Sequence, residues 1–167
     1  MPEFYRHRFT EIIDYLHHRP PYLMVDGIES IEDCRILTYT DVTEARVAGH
    51  FPGAPILPGA MMQEVVTQSA GILIAANYNP MPEYDTHDPY FNQYALGVLV
   101  KLGNARFRGF ARPGDQLRTS ATLITCEQQL FEFKGEIRLQ DKVIMRNHFW
   151  LGNILSSALQ GSGKQTV

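Results

Sequence analysis

Between Gly59 and Ala76 the chain reads G-A-M-M-Q-E-V-V-T-Q-S-A-G-I-L-I-A-A, a helical stretch that is apolar almost all round. Met61, Met62, Val65, Val66, Ile72, Leu73 and Ile74 cover more than one face. Such a helix does not lie on a surface and has to be wrapped by other structure. Its small residues Ala70, Gly71, Ala75 and Ala76 let that structure approach closely. One carboxylate, Glu64, interrupts the apolar surface, with Gln68 one turn further on. A carboxylate on a buried face is costly unless it is paired, hydrogen-bonded or used.

The remaining segments supply the wrapping. Leu130 to Leu139 sets Phe131, Phe133, Ile137 and Leu139 among polar residues with the alternation of a half-buried antiparallel strand. Tyr94 to Phe107, Gln116 to Glu127 and Val143 to Leu151 read as further strands, the last after the turn Gln140-Asp141-Lys142. Ahead of the buried helix, Tyr22 to Ile31 and Arg35 to Val42 read as two strands joined by the turn Glu32-Asp33. Thr10 is placed to cap a short first helix carrying Ile12, Ile13 and Leu16, which the prolines of His18-Arg19-Pro20-Pro21 end. Helix, two strands, buried helix, four strands: an α+β fold in which an antiparallel sheet curls round one central helix satisfies that order. Thr43 to Pro58 reads as a loop, and Asn77 to Gln93, with three prolines, as an irregular excursion. The excursion is too aromatic for a simple linker and is expected to pack on the surface or on a partner subunit. Residues 1–155 are expected to form a single domain, and the polar residues 156–167 a flexible tail.

Length and composition agree with this. At 167 residues, 44% hydrophobic and 20% charged, the chain is long enough for one domain with a real core. A net charge of −3 points to no particular partner, and no nucleic-acid partner is expected. Cys34 and Cys126 show neither metal-ligand spacing nor a disulfide framework, which favours a reduced setting. The opening M-P-E-F-Y-R-H-R-F lacks the apolar core of a signal peptide, and the longest apolar run, Ala70 to Ala76, is far short of a membrane span. A cytoplasmic protein without a membrane partner is the expectation.

The chemistry concentrates in Gly49 to Gly59, G-H-F-P-G-A-P-I-L-P-G, which sets His50 in a Gly/Pro-stiffened loop just before the helix that carries Glu64. A histidine gives or takes a proton near neutral pH, so His50 and Glu64 look like an acid/base pair. Together with other segments the motif resembles the β-hydroxyacyl-ACP dehydratases of the FabZ/FabA type. His18 to Asp26, H-R-P-P-Y-L-M-V-D, is similar to that family's H-R-x-P-x-L-x-V-D segment. Gly49 to Gly59 reproduces its G-H-F-P-G-x-P-x-x-P-G loop, Glu64 and Gln68 fall at its acidic residue and following glutamine, and Ala105 to Gln116 resembles its A-R-F-x-x-x-V-x-P-G-D-x-L region.

The resemblance implies the hot dog fold and removal of water from a 3-hydroxyacyl thioester to give a trans-2-enoyl thioester. On that reading His50 is the base at C2, and Glu64 protonates or orients the leaving 3-hydroxyl. The N–H of Gly59, between Pro58 and Ala60 at the helix start, hydrogen-bonds the thioester carbonyl with help from the helix dipole. Gln68 fixes Glu64. No metal or organic cofactor is needed. Arg106, Arg108 and Arg112 are the candidate docking surface for an acyl carrier protein and its phosphopantetheine phosphate, with a solvated face as the plain alternative. The resemblance further implies a homodimer, or an assembly of dimers, with the site at the interface. Glu64, where the isomerising subgroup has aspartate, implies no shift of the double bond. A hot dog acyl thioesterase, a silent acyl-binding subunit and a dehydratase of a specialised lipid or polyketide pathway are the competing readings. The chain departs from the family in a shorter stretch before His50, in the long excursion, in Gly27 where arginine is usual and in Asn104 where an acidic residue is common. His18 is read as a loop-packing residue.

Overall fold

Six strands frame the structure, a computed structural model that describes residues 3–159. β1 (Gly27–Ile31), β2 (Arg35–Asp41), β3 (Tyr94–Phe107), β4 (Gln116–Glu127), β5 (Leu130–Leu139) and β6 (Lys142–Leu155) form one antiparallel sheet in the order β1-β2-β4-β5-β6-β3. The alternation works as expected. Leu117, Thr119, Ala121 and Leu123 of β4 point inward, as do Phe131, Phe133, Gly135 and Ile137 of β5. From β6, Met145, Asn147, Phe149 and Leu151 join them.

What they enclose is the helix α2 (Gly59–Asn77), which packs against β2 through β6. From Met62 to Asn77 every residue of α2 is buried save Glu64. The curved sheet round one helix is the hot dog fold. Contact is closest at Gly135 of β5, where an added Cβ would come within 2.3 Å of Val66 and 2.2 Å of Asn147 Oδ1. A methyl group there has nowhere to go without moving helix from sheet.

Local structure departs from the sequence reading in five places. The first helix is a single 3-10 turn, Ile12–Asp14, entered from Glu11, so Thr10 caps nothing. β1 begins at Gly27 rather than Tyr22, because the Tyr22 and Leu23 N–H groups close a turn onto Arg19 O and Met24 is bonded to side chains, with Asp26 N–H the first to reach β2, at Tyr39 O. Met24 N–H is donated to Gln68 Oε1 (2.8 Å), and Met24 O accepts from the Thr40 hydroxyl (2.8 Å). The loop after β2 contains one helical turn, α1 (Glu44–Val47), anchored by buried Val47 and by Arg46, which binds Asp26 at 2.6 Å. β6 runs on to Leu155, held by the pairs Tyr94↔Leu155 and Ala95↔Ile154 with β3. The first residues of the expected tail form a further turn, α3 (Ser156–Leu159); the rest of it, 160–167, lies outside the described residues.

β3 closes one edge of the sheet. It is long, unpaired on its outer side, and exposes Leu99, Val100, Leu102 and Phe107. Exposed apolar edges of this kind are templates for a second chain.

Gly135→Ala is expected to lower stability by about 1–3 kcal/mol, the usual cost of overpacking a filled core. A urea midpoint unchanged from wild type would show that α2 does not lie on β5 at this point.

Candidate active site

The loop after α1 is shaped by its glycines. Gly49 (φ 80°) and Gly53 (φ 87°) take the left-handed conformation that side chains with a Cβ avoid, and Phe51 (φ 53°) is drawn into it between them. The loop is then pinned at Leu57, whose side chain is buried and whose N–H is donated to Ala111 O at 2.8 Å. Within it His50 Nδ1 lies 2.9 Å from Ile56 O. A carbonyl oxygen only accepts, so Nδ1 carries the proton and Nε2 is left with its lone pair. The motif thus holds a histidine oriented through Nδ1, with Nε2 unengaged among the described residues.

Pro58 sets the start of α2, and its carbonyl takes the N–H groups of Met61 (3.0 Å) and Met62 (3.1 Å). The N–H groups of Gly59 and Ala60 have no acceptor among the described residues. They are free donors at the positive end of a helix dipole. A Cβ at Gly59 would stand 3.2 Å from the Phe107 ring of β3, so a side chain there would press on that ring.

Glu64 lies more than one turn inside the same helix and retains 20% of its side-chain surface. Gln68 Nε2 donates to Glu64 Oε1 at 2.8 Å and to Tyr22 O at 2.8 Å, as the spacing of the two residues predicts. Burial pushes the Glu64 carboxyl above the usual carboxylate range, and the bonds from Gln68 and Tyr22 offset only part of that. The Tyr22 hydroxyl is in turn pushed up, first by the charge of Glu64 beside it and then by burial.

Two groups at this carboxyl were not read as functional from sequence. Tyr22 is one. The other is His18, read as loop packing: its Nε2 lies 3.7 Å from Glu64 Oε1, and its ring stacks on Tyr22 at 5.8 Å between centroids. Burial and then neighbouring Arg19 lower the His18 pKa, so near neutral pH the ring is uncharged and the contact is not an ion pair. Nδ1 of His18 is buried without a partner. The resemblance of the H-R-P-P-Y segment to the family was the one available signal, since only the fold brings this segment beside α2.

Glu64, Gln68, His18 and Tyr22 line one cavity of about 510 Å³ together with Leu16, Gly71 and the strand residues 95–99. Its size suits a small-molecule site. His50, Pro58, Gly59 and Ala60 take no part in its wall within one chain. The structure therefore joins Glu64 to Gln68 and leaves His50 with the helix start as a separate group.

The three arginines also divide. Arg106 lines a groove on the outer face of the sheet with Arg35, Lys134 and Arg146, while Arg112 lies over the Phe110 ring at 5.8 Å. Arg108 is exposed just beyond β3, its N–H on Ile144 O at 2.7 Å. None of the three is in an ion pair among the described residues. Nor, among those residues, are three or more His, Cys, Asp or Glu side chains grouped to hold a metal, and no helix is long and apolar enough to cross a membrane.

A wrapped central helix, an N-terminal pair of free amides and a buried carboxyl on a cavity place the chain among hot dog proteins. The family model described as the FabA-like domain matches residues 16–148. The chain belongs to that family. It is 34% identical over 137 residues to the 3-hydroxyacyl-[acyl-carrier-protein] dehydratase FabZ of Coxiella burnetii (strain RSA 331 / Henzerling II), covering 80% of this chain and 90% of that protein. With the FabZ dehydratase of Rickettsia bellii (strain OSU 85-389) it shares 28% over 143 residues, 84% and 91% of the two chains. Among solved structures, a chain of the dehydratase heterocomplex ApeI:P from Xenorhabdus doucetiae superposes with a TM-score of 0.75 at 18% identity, covering 94% of this chain and 100% of that one. A hypothetical thioesterase with coenzyme A from Streptococcus pneumoniae TIGR4 superposes at 0.57 and 12% identity, over 77% and 85% of the chains. These two likenesses concern the fold.

A carboxyl whose pKa is raised by folding favours the folded state while protonated and opposes it once ionised. Wild-type stability is therefore expected to fall, relative to Glu64→Gln, as pH rises from below the ordinary carboxylate pKa through the raised one. Denaturant titrations of both proteins across that range test this. A difference that stays flat would mean that Glu64 is as well solvated folded as unfolded, and one that moves in favour of wild type as pH rises would mean that its charge is better stabilised in the folded state.

Proposed function

We infer that the protein is a 3-hydroxyacyl-[acyl-carrier-protein] dehydratase, converting 3-hydroxyacyl thioesters to trans-2-enoyl thioesters in fatty-acid or related lipid synthesis. Membership of the FabA-like family and the likeness to FabZ dehydratases support the reaction. The observation that carries it at the site is Glu64, the one residue from Met62 to Asn77 not buried, facing a cavity with its carboxyl biased toward the protonated form.

The chemistry follows from these groups. The C2 proton is weakly acidic and needs a base together with a donor to the thioester carbonyl. His50 Nε2 takes the C2 proton. The free N–H of Gly59 meets the carbonyl oxygen as negative charge builds there. Glu64 gives its proton to the 3-hydroxyl as the C3–O bond breaks, so that water leaves and the C2–C3 double bond forms. A proton passed from the imidazolium back to the carboxylate restores both groups. Gln68 keeps the carboxyl aimed at the cavity, and a carboxyl pKa brought toward the working pH suits a general acid.

The separation of His50 from the cavity is accounted for if two chains share each site. In a homodimer joined along the exposed β3 edges, His50 of one chain would meet the partner's Glu64. The acyl group arrives on a carrier protein. Exposed and without an ion-pair partner among the described residues, Arg106 and Arg108 flank Phe107, whose ring lies at Gly59, and they, with exposed Arg112 apart from them, are the basic groups suited to an acidic carrier and its phosphate.

His50→Ala and Glu64→Gln are each expected to lower turnover about 10²–10⁴-fold with the fold intact. Co-refolding the two inactive chains at equal amounts tests the sharing. Random pairing makes about half the dimers mixed, each with one intact site, so roughly a quarter of wild-type activity is expected to return. No recovery despite verified subunit exchange would place both residues in one chain's site, and near-normal turnover by either single variant would remove that residue from the mechanism.

Charge reversal at Arg106, Arg108 or Arg112 is expected to raise KM for the carrier-linked substrate far more than for a short thioester mimic. Equal effects on the two substrates, or none, would assign these arginines to the solvated surface.

A further inference from the structure

Residues 78–93, between α2 and β3, are bonded along their length to the N-terminal segment. Asn79 forms a β-bridge with Tyr5, and Met81 O accepts from the His7 ring at 3.0 Å. The Tyr84 hydroxyl donates to Tyr15 O at 2.9 Å. Thr86 O accepts from Arg19 at 2.9 Å, and the Thr86 hydroxyl donates to Ile13 O. His87 meets Asp14 at 2.8 Å, and the Asn92 amide donates to His17 Nε2 at 3.1 Å. At the far end Ser156 of α3 donates its N–H to Gln93 O (2.9 Å) and its hydroxyl to Asn92 O (2.7 Å).

The partners in these bonds are also walls of the cavity. Tyr15, His17, Tyr84 and Ser156 line it, with Pro89 added from the excursion itself. Their order along the cavity can be read from α2. His18 lies at Glu64, and Leu16 packs at Gly71, where a Cβ would meet its Cδ2 at 3.4 Å. Gly71 is seven residues beyond Glu64, about 10 Å along the helix axis. The N-terminal segment thus runs back along α2 from the carboxyl, and Tyr15, with Tyr84 bonded to it, comes after Leu16. The Tyr84 ring is fixed there by its hydroxyl bond and by the rings of Phe9 (6.4 Å), His7 (6.0 Å) and His17 (6.0 Å) between centroids. Burial accordingly pushes the Tyr84 hydroxyl pKa up.

We propose that Tyr84, braced by the excursion and the N-terminal segment, is the far wall of the cavity and limits the length of acyl chain the protein accepts. This rests on reading the cavity as the acyl site. An acyl chain whose C3 lies at Glu64 extends along α2 past Gly71, where both neighbouring surfaces are apolar, and then meets a ring with no space to swing into. Longer chains must stay partly in water.

The test uses saturated acyl-pantetheine amides of increasing length, with binding measured by calorimetry on the full chain. Wild-type affinity is expected to rise about fourfold per methylene until the cavity is full, and then to stop rising. Tyr84→Ala is expected to move that break to chains longer by about two methylenes or more, a gain of about fourfold at the first length wild type fails to reward, with shorter chains unaffected. Tyr84→Phe, which keeps the ring, is expected to leave the break in place. Tyr84→Leu, which preserves apolar packing, gives the same reading in case circular dichroism shows the alanine variant unfolded. An unmoved break in a folded Ala or Leu variant overturns the proposal, as does a break that moves in Tyr84→Phe or wild-type affinity that never depends on length. Dehydration of the matching 3-hydroxyacyl thioesters is followed alongside. Absence of turnover with the break and its shift intact overturns the proposed reaction and leaves the wall standing.

Discussion

The side-chain amide of Gln68 makes three hydrogen bonds from within the core, and the site is arranged around them. Its Nε2 holds Glu64 Oε1 and Tyr22 O, and its Oε1 takes the Met24 N–H. A buried amide left without these partners would cost about 1–3 kcal/mol for each group stranded, so the bonds fix one arrangement. The same contacts draw residues 22–24 out of the sheet and against α2. That places His18 and Tyr22 beside the carboxyl. One helix residue therefore sets both the orientation of the acid and the wall it faces.

The burial of α2 explains why the carboxyl is useful. A helix enclosed by five strands offers almost no place for charge, and Glu64 remains only because it opens onto a cavity. The same enclosure raises its pKa, turning an ordinary carboxylate into a group that can hold a proton nearer neutrality. The start of the helix presents free N–H groups and the positive end of the dipole, and on the proposed mechanism it is there that negative charge develops. A histidine with one nitrogen fixed on Ile56 O completes the set from outside the cavity. The proposed pairing with a second copy of the chain would account at once for the exposed apolar edge of β3 and for the placing of His50 away from Glu64.

Much of this was legible in the sequence, for physical reasons that differ by element. Residues Phe131 to Leu139 announced their strand through period two, and α2 announced its burial through apolar residues on every face. The loop Gly49 to Gly59 was legible through resemblance, since glycines and prolines at fixed spacing leave few conformations. Tyr22 to Asp26 misled because Leu23, Met24 and Val25 are as apolar as a strand requires; the backbone bonds of Met24 go to the side chains of Gln68 and Thr40, far away in sequence. α1 is one turn long, too short for periodicity to show. Beyond the resemblance of its segment, His18 gave no sign of its place, because its distance from Glu64 exists only after the N-terminal segment folds back along α2. The excursion was rightly read as packed and not as a linker, but its aromatic partners in the N-terminal segment lie beyond any local pattern.

Mass spectrometry of an acyl carrier protein loaded with a 3-hydroxyacyl chain and incubated with the purified protein tests the central claim most directly. Loss of one water from the intact acyl-carrier species is expected, with a trans-2-enoyl product still in thioester linkage and no free carrier thiol. Release of the carrier thiol without an enoyl product would contradict it and make the protein a thioesterase built on the same fold.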